Sequence, residues 1–298
     1  MPSRPDAVTM AAFAGCVLLA GANGTAIAFS NQELAPFWGA ALRFLPASWL
    51  FLAAALAMRR KFPRGRALVG SALYGVLAFF GTFGLIYWAL REVKPGLAQL
   101  ELSVIPLLTL LLATTQRQER FRWQALAGAV ICMGGILLIV GAKVTAAPLG
   151  GVAALGGAAL CMAQAGVVAK RFPKADIVAG SGVAMGVAGL LLLGLSLGSG
   201  EKLTVPTRAS TWLALGYLVL AGSVAAFAFY MLVLQRWSAS AAAYQWVLMP
   251  FVAVPLSAAL TGEHLTSVIL VGGAVVVAGV YLGAFWRRHS LSPAPKHP

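Results

Sequence analysis

VIPLLTLLLATTQRQERFRWQALAGAVICMGGILL, residues 104–138, decides the fold, because its pattern returns 144 residues later as LMPFVAVPLSAALTGEHLTSVILVGGAVVVAGVYL, residues 248–282. Without gaps, Pro106 falls on Pro250, Glu119 on Glu263, Gly128 on Gly272 and Gly135 on Gly279. Each copy reads as a proline-interrupted apolar helix, an acidic turn and a glycine-striped helix. A shared glycine spacing alone is a weak signal in a chain with 33 glycines; four positions in one register carry more weight.

Composition sets the solvent. The 298 residues are 60% hydrophobic and 10% charged, against about 25% charged in an ordinary soluble domain. Apolar runs long enough to cross a bilayer, about 17–25 residues, recur from Val8 to Trp286 with short breaks. The expected spans are 8–29, 35–58, 67–90, 95–115, 121–140, 148–169, 177–197, 209–234, 239–260 and 265–286. The sequence therefore predicts an all-α integral membrane protein of ten transmembrane helices. AGA at residues 20–22 looks like a signal-peptidase site, but the run around it is long enough to span, with Arg4 the one basic side chain before it. It is read as an uncleaved first helix.

The net charge of +14 is explained by its placement. One alternating set of loops and ends holds sixteen Lys and Arg, the other five, and Arg43 lies inside a span. This is the positive-inside pattern. It places both termini in the cytoplasm of a multi-pass membrane protein, and it argues against a nucleic-acid partner. Five spans separate the two copies of the opening pattern. An odd number puts matching positions on opposite membrane faces, so the halves form two inverted five-helix repeats: 1–145 (helices 1–5) and 146–288 (helices 6–10), followed by a short cytoplasmic tail, 289–298. Such pairs enclose substrate sites near the midplane.

These features resemble the EamA-type branch of the drug/metabolite transporter superfamily over about residues 8–286. LRFLPA, residues 42–47, is similar to that family's Arg-containing second helix. The first helix departs from the pattern: the family often has Trp-Gly near its middle, where this chain reads AGANG at residues 20–24. The resemblance implies export of small metabolites, amino acids above all, and the family's bacterial aromatic amino-acid exporter is a close candidate.

Polar groups inside spans are functional candidates by default. Asn23, Arg43 and Glu101 each lie about six to eight residues from the outer ends, roughly 9–12 Å deep at 1.5 Å per residue. Arg43 and Glu101 could form a structural pair, contact an amino acid's charged end, or, for Glu101, exchange protons with a water-filled cavity. Gln99 and Ser103 share a helix face, whereas Glu101 points elsewhere; in the other half Tyr244, Gln245 and Trp246 occupy the matching stretch. Phe79, Phe83 and Tyr87 stand at i, i+4 and i+8 on helix three, where they either pack or stack on substrate. Gln164 is a further midplane candidate, or an interhelical hydrogen-bonding group. Pro46, Pro106, Pro250 and Pro255 suit kinks, and Gly182/Gly186 and Gly279/Gly283 suit close helix packing.

Other chemistry finds little support. Cys16, Cys132 and Cys161 match no metal or CxxC spacing and read as packing residues. The histidines (His264, His289, His297) and aspartates (Asp6, Asp176) lie outside the spans, and no HExxH or GxSxG occurs. GILLIVGAK, residues 135–143, has the wrong spacing for a P-loop. No catalytic residue, metal or cofactor is expected, and an intramembrane enzyme or an assembly protein is disfavoured. The expected partners are a small-molecule substrate and membrane lipids, with a monomer as the working unit. The rival substrates are nucleotide sugars, lipids or drugs; a nucleotide sugar should want several in-membrane cations, and Arg43 is alone.

Overall fold

A computed structural model describes residues 6–119, 123–141, 149–261, 267–280 and 282. Glu263, Gly283, the three histidines, the 145/146 boundary and the tail 289–298 lie outside them. Among the described residues there is no strand. Seven helices are long and apolar enough to cross a membrane, and the apolar stretches Leu102–Thr115 and Leu126–Gly135 are shorter.

Helix α1 (Ala7–Ser30) begins at Asp6, whose carboxylate caps the Thr9 amide at 3.0 Å, and breaks at a turn on Ala22. Buried Phe13, Cys16 and Val17 place it in the core against α8. Helix α2 (Pro36–Ala57) starts on Pro36, where the missing N–H costs nothing, and continues through Pro46. Helix α3 (Arg66–Ala89) carries a π-helical segment, Gly75–Gly81. Helix α4 is interrupted as Pro106 requires: Pro95–Glu101, a 3-10 turn Leu102–Val104, then Ile105–Thr115. Helices α5 (Trp123–Gly141), α6 (Leu149–Arg171) and α7 (Ile177–Gly198) follow; the Asp176 carboxylate caps α7 through the Val178 and Ala179 amides. Helix α8 (Ala209–Arg236) has its own π segment, Leu220–Ala225. Helix α9 comes in three pieces, Ala239–Ala243, Gln245–Leu248 and Pro250–Thr261, and α10 spans Ser267–Val280.

The hydrophobic effect does little to join helices in lipid, so close contact between small residues must do it. Helix α2 packs on α7, α5 on α10, α1 on α8, α3 on α6, and the middle of α4 and of α9 on α6 and α1 respectively. The α2–α7 seam shows how. A methyl added at Gly182, Gly186 or Gly189 would fall 2.8 Å from Leu52, Ser48 or Leu45, so the glycine stripe admits α2 side chains against α7 backbone. There the Ser48 hydroxyl donates to the Gly182 carbonyl at 2.8 Å. Large apolar side chains such as Trp49, Leu149 and Leu213 cover the outside, as a lipid-facing surface demands.

Candidate functional site

Breaks in four helices converge on one cavity enclosing about 510 Å³ of space between atoms. Asn23 follows the turn at Ala22; Gln99 precedes the 3-10 turn of α4; Phe227 and Tyr230 follow the π segment of α8; Gln245 and Trp246 follow the Tyr244 turn in α9. Phe83 of α3 completes the wall one residue past its own Thr82, where the π segment ends. Interrupted helices suit this place, since freed backbone groups are tolerated at membrane depth only where protein or a water-filled cavity receives them. The cavity is narrow. It runs from Tyr230 toward Leu90 and Pro95, away from the Arg- and Lys-rich loops.

The wall mixes amide and aromatic side chains, and no charged side chain lines it. The Cys16 thiol donates to Gln245 Oε1 at 2.6 Å, a bond that the packing role expected of this cysteine did not include. The Gln99 amide donates to the thioether of Met249 at 3.2 Å, a weak acceptor. Asn23 Oδ1 and Trp246 Nε1 are buried without hydrogen-bond partners among the described residues. Unsatisfied buried groups are rare and costly, so these two are where a ligand's own polar atoms would be welcome.

Behind Asn23 and Phe83 sits Arg43, fully buried. Its Nε donates to Ser223 Oγ at 2.8 Å and its Nη2 to the Gly222 carbonyl at 2.9 Å. The Phe83 ring centroid lies 4.5 Å from the guanidinium carbon, within cation–π range. Both bonds fall in the π segment of α8, whose wider turn presents them to α2. Gly222 is required here: a Cβ would lie 2.1 Å from Asn23 Oδ1. Of the readings open to Arg43 and Glu101, the structural pair between them is not formed. Arg43 turns to α8 instead, while Glu101, half-buried on another face of α4, makes no ion pair among the described residues. Equal depth on two helices did not bring the charges together, because helix rotation aims them apart.

The remaining candidates divide by place. Phe79 belongs to a buried aromatic stack, 5.6 Å from Tyr74, 5.2 Å from Phe44 and 4.7 Å from Phe227 between ring centroids. Tyr87 is fully buried beside Arg43, outside the cavity lining. The Ser103 hydroxyl ties α4 to α9, 3.1 Å from the Gln99 carbonyl and 3.4 Å from that of Trp246. Tyr244 is buried in its turn, outside the lining. Gln164 accepts from Gln116 at 2.8 Å, the interhelical reading, and is not part of the cavity lining. Gly222, Ser223, Phe227 and Tyr230 were not singled out beforehand. The Phe227–Tyr230 spacing of three would have flagged a shared face; nothing local marks Gly222–Ser223.

Each end is closed differently. At the basic end a second cavity of about 710 Å³ lies among α3, α6, α7 and α8, reaching Tyr74 from Lys170 and Lys174. The Tyr74–Phe79–Phe227 stack stands between it and the central cavity. At the opposite end, two carboxylates cap helices across the fold. Glu33 accepts from the Thr207 amide at 2.6 Å, the Thr207 hydroxyl and the Arg208 amide at 3.2 Å, at the start of α8. Glu201 accepts from the Phe37 and Trp38 amides at 3.2 and 2.9 Å, at the start of α2. Free N–H groups and the helix dipole both favour an anion there.

Against this geometry, the family model of EamA-like transporters matches residues 8–141 and again 149–285. The chain belongs to the EamA-like transporter family. It is 31% identical over 251 residues to the "Uncharacterized inner membrane transporter YedA" of Escherichia coli, covering 83% of this chain and 81% of that one. It is 26% identical over 289 residues to a "Probable amino-acid metabolite efflux pump" of Salmonella typhimurium, covering 91% and 93%. A "Probable terminal-alkyne amino-acid exporter" of Streptantibioticus cattleyicolor is 28% identical over 238 residues, 76% of each chain. A solved crystal structure shares the fold with a TM-score of 0.76 at 22% identity, over 92% of this chain and 95% of that one. This EamA-like chain is thus a multi-pass membrane transporter.

Proposed function

We propose that the chain exports small amphipathic metabolites, most simply neutral or aromatic amino acids, from the bacterial cytoplasm by alternating access. The central cavity carries the reading: amides of Asn23, Gln99 and Gln245 and the rings of Phe83, Phe227, Tyr230 and Trp246 line one uncharged chamber, polar groups beside apolar ones. A zwitterion with an apolar side chain has the same division. The names of two relatives, an amino-acid metabolite efflux pump and an amino-acid exporter, support that class, and a third supports an inner-membrane location.

Alternating access follows from the proposed inverted repeat of ten spans, 1–145 and 146–288. Its supports are independent of the opening sequence pattern. The π segments Gly75–Gly81 and Leu220–Ala225 start 145 and end 144 residues apart. The contacts pair likewise: α1–α8 answers α3–α6, and α2–α7 and α5–α10 answer themselves. The basic end faces the cytoplasm in this reading, with both termini there. The cavity is complete within one chain, so a monomer suffices.

Proteoliposomes assayed against a panel of labelled amino acids test the proposal. Flux of at least one neutral amino acid is expected, with nucleotide sugars and lipids carried more slowly. Flux of those compounds and of no amino acid refutes the substrate class. Repeating the assay in a pH gradient with Glu101→Gln decides the remaining role of that carboxylate. Because Glu101 lies off the cavity, affinity is expected to stay within about twofold, the ~0.5 kcal/mol of a substitution away from key contacts.

A further inference from the structure

Arg43 is a fully buried cation whose bonds go to neutral atoms, Ser223 Oγ and the Gly222 carbonyl. Its Nη1 makes no well-formed hydrogen bond among the described residues, and the neutral Tyr87 hydroxyl is the polar group beside the guanidinium. Among the described residues no carboxylate lies within ion-pair distance of it. A buried charge is strongly penalised unless paired and fully hydrogen-bonded. The ring face of Phe83 and two neutral acceptors meet part of that need, and an anionic oxygen is what the site lacks. Two of the groups touching this cluster, Phe83 and Asn23, also form the cavity wall. Asn23 Oδ1, an acceptor with no partner among the described residues, sits against the same Gly222 and suits a proton donor of the ligand rather than its carboxylate.

We propose that Arg43, reached past Asn23 and Phe83, forms a carboxylate-recognising subsite at the back of the central cavity, and that the substrate's carboxylate is its counter-ion. This rests on the amino-acid reading above and sharpens it. No Asp or Glu lines the cavity, so nothing there matches a substrate ammonium with an opposite charge. The class selected is therefore the apolar carboxylate, with or without an amino group. An amine lacking the carboxylate would place a second positive charge near the guanidinium and is rejected.

Four probes sharing a benzyl group separate these demands: L-phenylalanine, 3-phenylpropanoate, phenylalaninamide and phenethylamine. Each is scored as a competitor of the labelled amino acid carried fastest by wild-type proteoliposomes. The two carboxylates are expected to compete at about tenfold lower concentration or better than the amide and the amine, the usual weight of a hydrogen bond to a charged group. Arg43→Gln is expected to erase that preference, and Ser223→Ala, which frees Nε, to weaken it. Should Arg43→Gln fail to fold, the wild-type series and Ser223→Ala still decide. Equal competition by all four overturns the subsite and leaves the amino-acid reading intact. So does the absence of competition by either carboxylate against a carried amino acid. Flux of no amino acid overturns that reading, and the subsite with it.

Discussion

Gly222→Ala tests whether the π segment of α8 really sets the cavity wall. The new Cβ would lie 2.1 Å from Asn23 Oδ1, while ordinary contact begins at 3.4 Å, so the amide must retreat by about 1.3 Å. That movement breaks the 3.4 Å bond from Asn23 Nδ2 to the Gly222 carbonyl and pulls a lining group from its place. Overpacking of this kind costs about 1–3 kcal/mol, which lowers the melting temperature by roughly 2–10 °C at this size. Displacing one substrate-facing amide removes about 0.5–1.5 kcal/mol of binding, roughly two- to tenfold in Kd. The control is Gly216→Ala on the same helix, where a Cβ meets nothing within 4 Å. It should stabilise slightly, since alanine favours helix over glycine. The assays are thermal unfolding of purified protein and equilibrium binding of the transported amino acid. If Gly222→Ala melts and binds like wild type, the close approach of Asn23 to α8 is wrong.

The Glu33 cap gives a pH prediction: the Thr207 hydroxyl, then the Thr207 and Arg208 amides, hold its carboxyl down at about 2 from the ordinary 4.5. A depressed value stabilises fully above the unfolded 4.5 and is lost as pH falls toward 2. The melting difference between wild type and Glu33→Gln should therefore stay constant from pH 8 to 5 and shrink below 4.5; a difference that vanishes between pH 7 and 5 refutes the cap. Gly186→Val must push Ser48 from its 2.8 Å approach and should destabilise strongly, whereas Gly194→Val, with open space around it, should cost little; equal melting temperatures would contradict the α2–α7 seam. Phe79→Ala removes the centre of the aromatic stack at a cost of about 3–5 kcal/mol. In a Cys132→Ala, Cys161→Ala background it should speed alkylation of Cys16 from the basic end, and an unchanged rate would show that the stack does not separate the two cavities.

Much of the architecture was legible because lipid leaves few choices. Apolar runs, proline breaks and loop charges depend on local composition, so Pro106 and Pro250 foretold the breaks in α4 and α9, and Gly182 and Gly186 foretold the α7 seam. Asn23, Phe83, Gln99 and Trp246 were also picked out, since polar and aromatic groups at depth stand out against leucine and alanine. Partner choice was not legible. Arg43 and Glu101 share a depth, yet their contacts depend on helix rotation, which a difference of one residue in register changes by about 100°. The π segments were hard to see: GVLAFFG and LAGSVA contain no proline, and their glycines do not stand out in a chain with 33 of them. Their extra width comes from tertiary contacts such as the Arg43 bonds to Gly222 and Ser223.

Those segments also bear on how such a site can move. Regular α-helix holds its carbonyls in i to i+4 bonds, so a side chain arriving from another helix finds few acceptors. A π turn widens the ladder, and here the Gly222 carbonyl serves Arg43 at 2.9 Å. The guanidinium in turn sits under Phe83, which contacts Phe227 at 5.8 Å and Phe79 at 6.5 Å, inside the stack facing the basic end. A ligand that draws Arg43 from α8 must therefore loosen both the π turn and the ring that leans on Phe79 and Phe227. Occupancy of the cavity and closure of the basic-end stack are then coupled through one residue. The coupling requires that Ser223→Ala and Phe83→Leu alter the ligand dependence of Cys16 alkylation non-additively. Additive effects would mean that wall and stack respond separately, and Arg43 would be a packing element of α2 and α8 rather than the link between them.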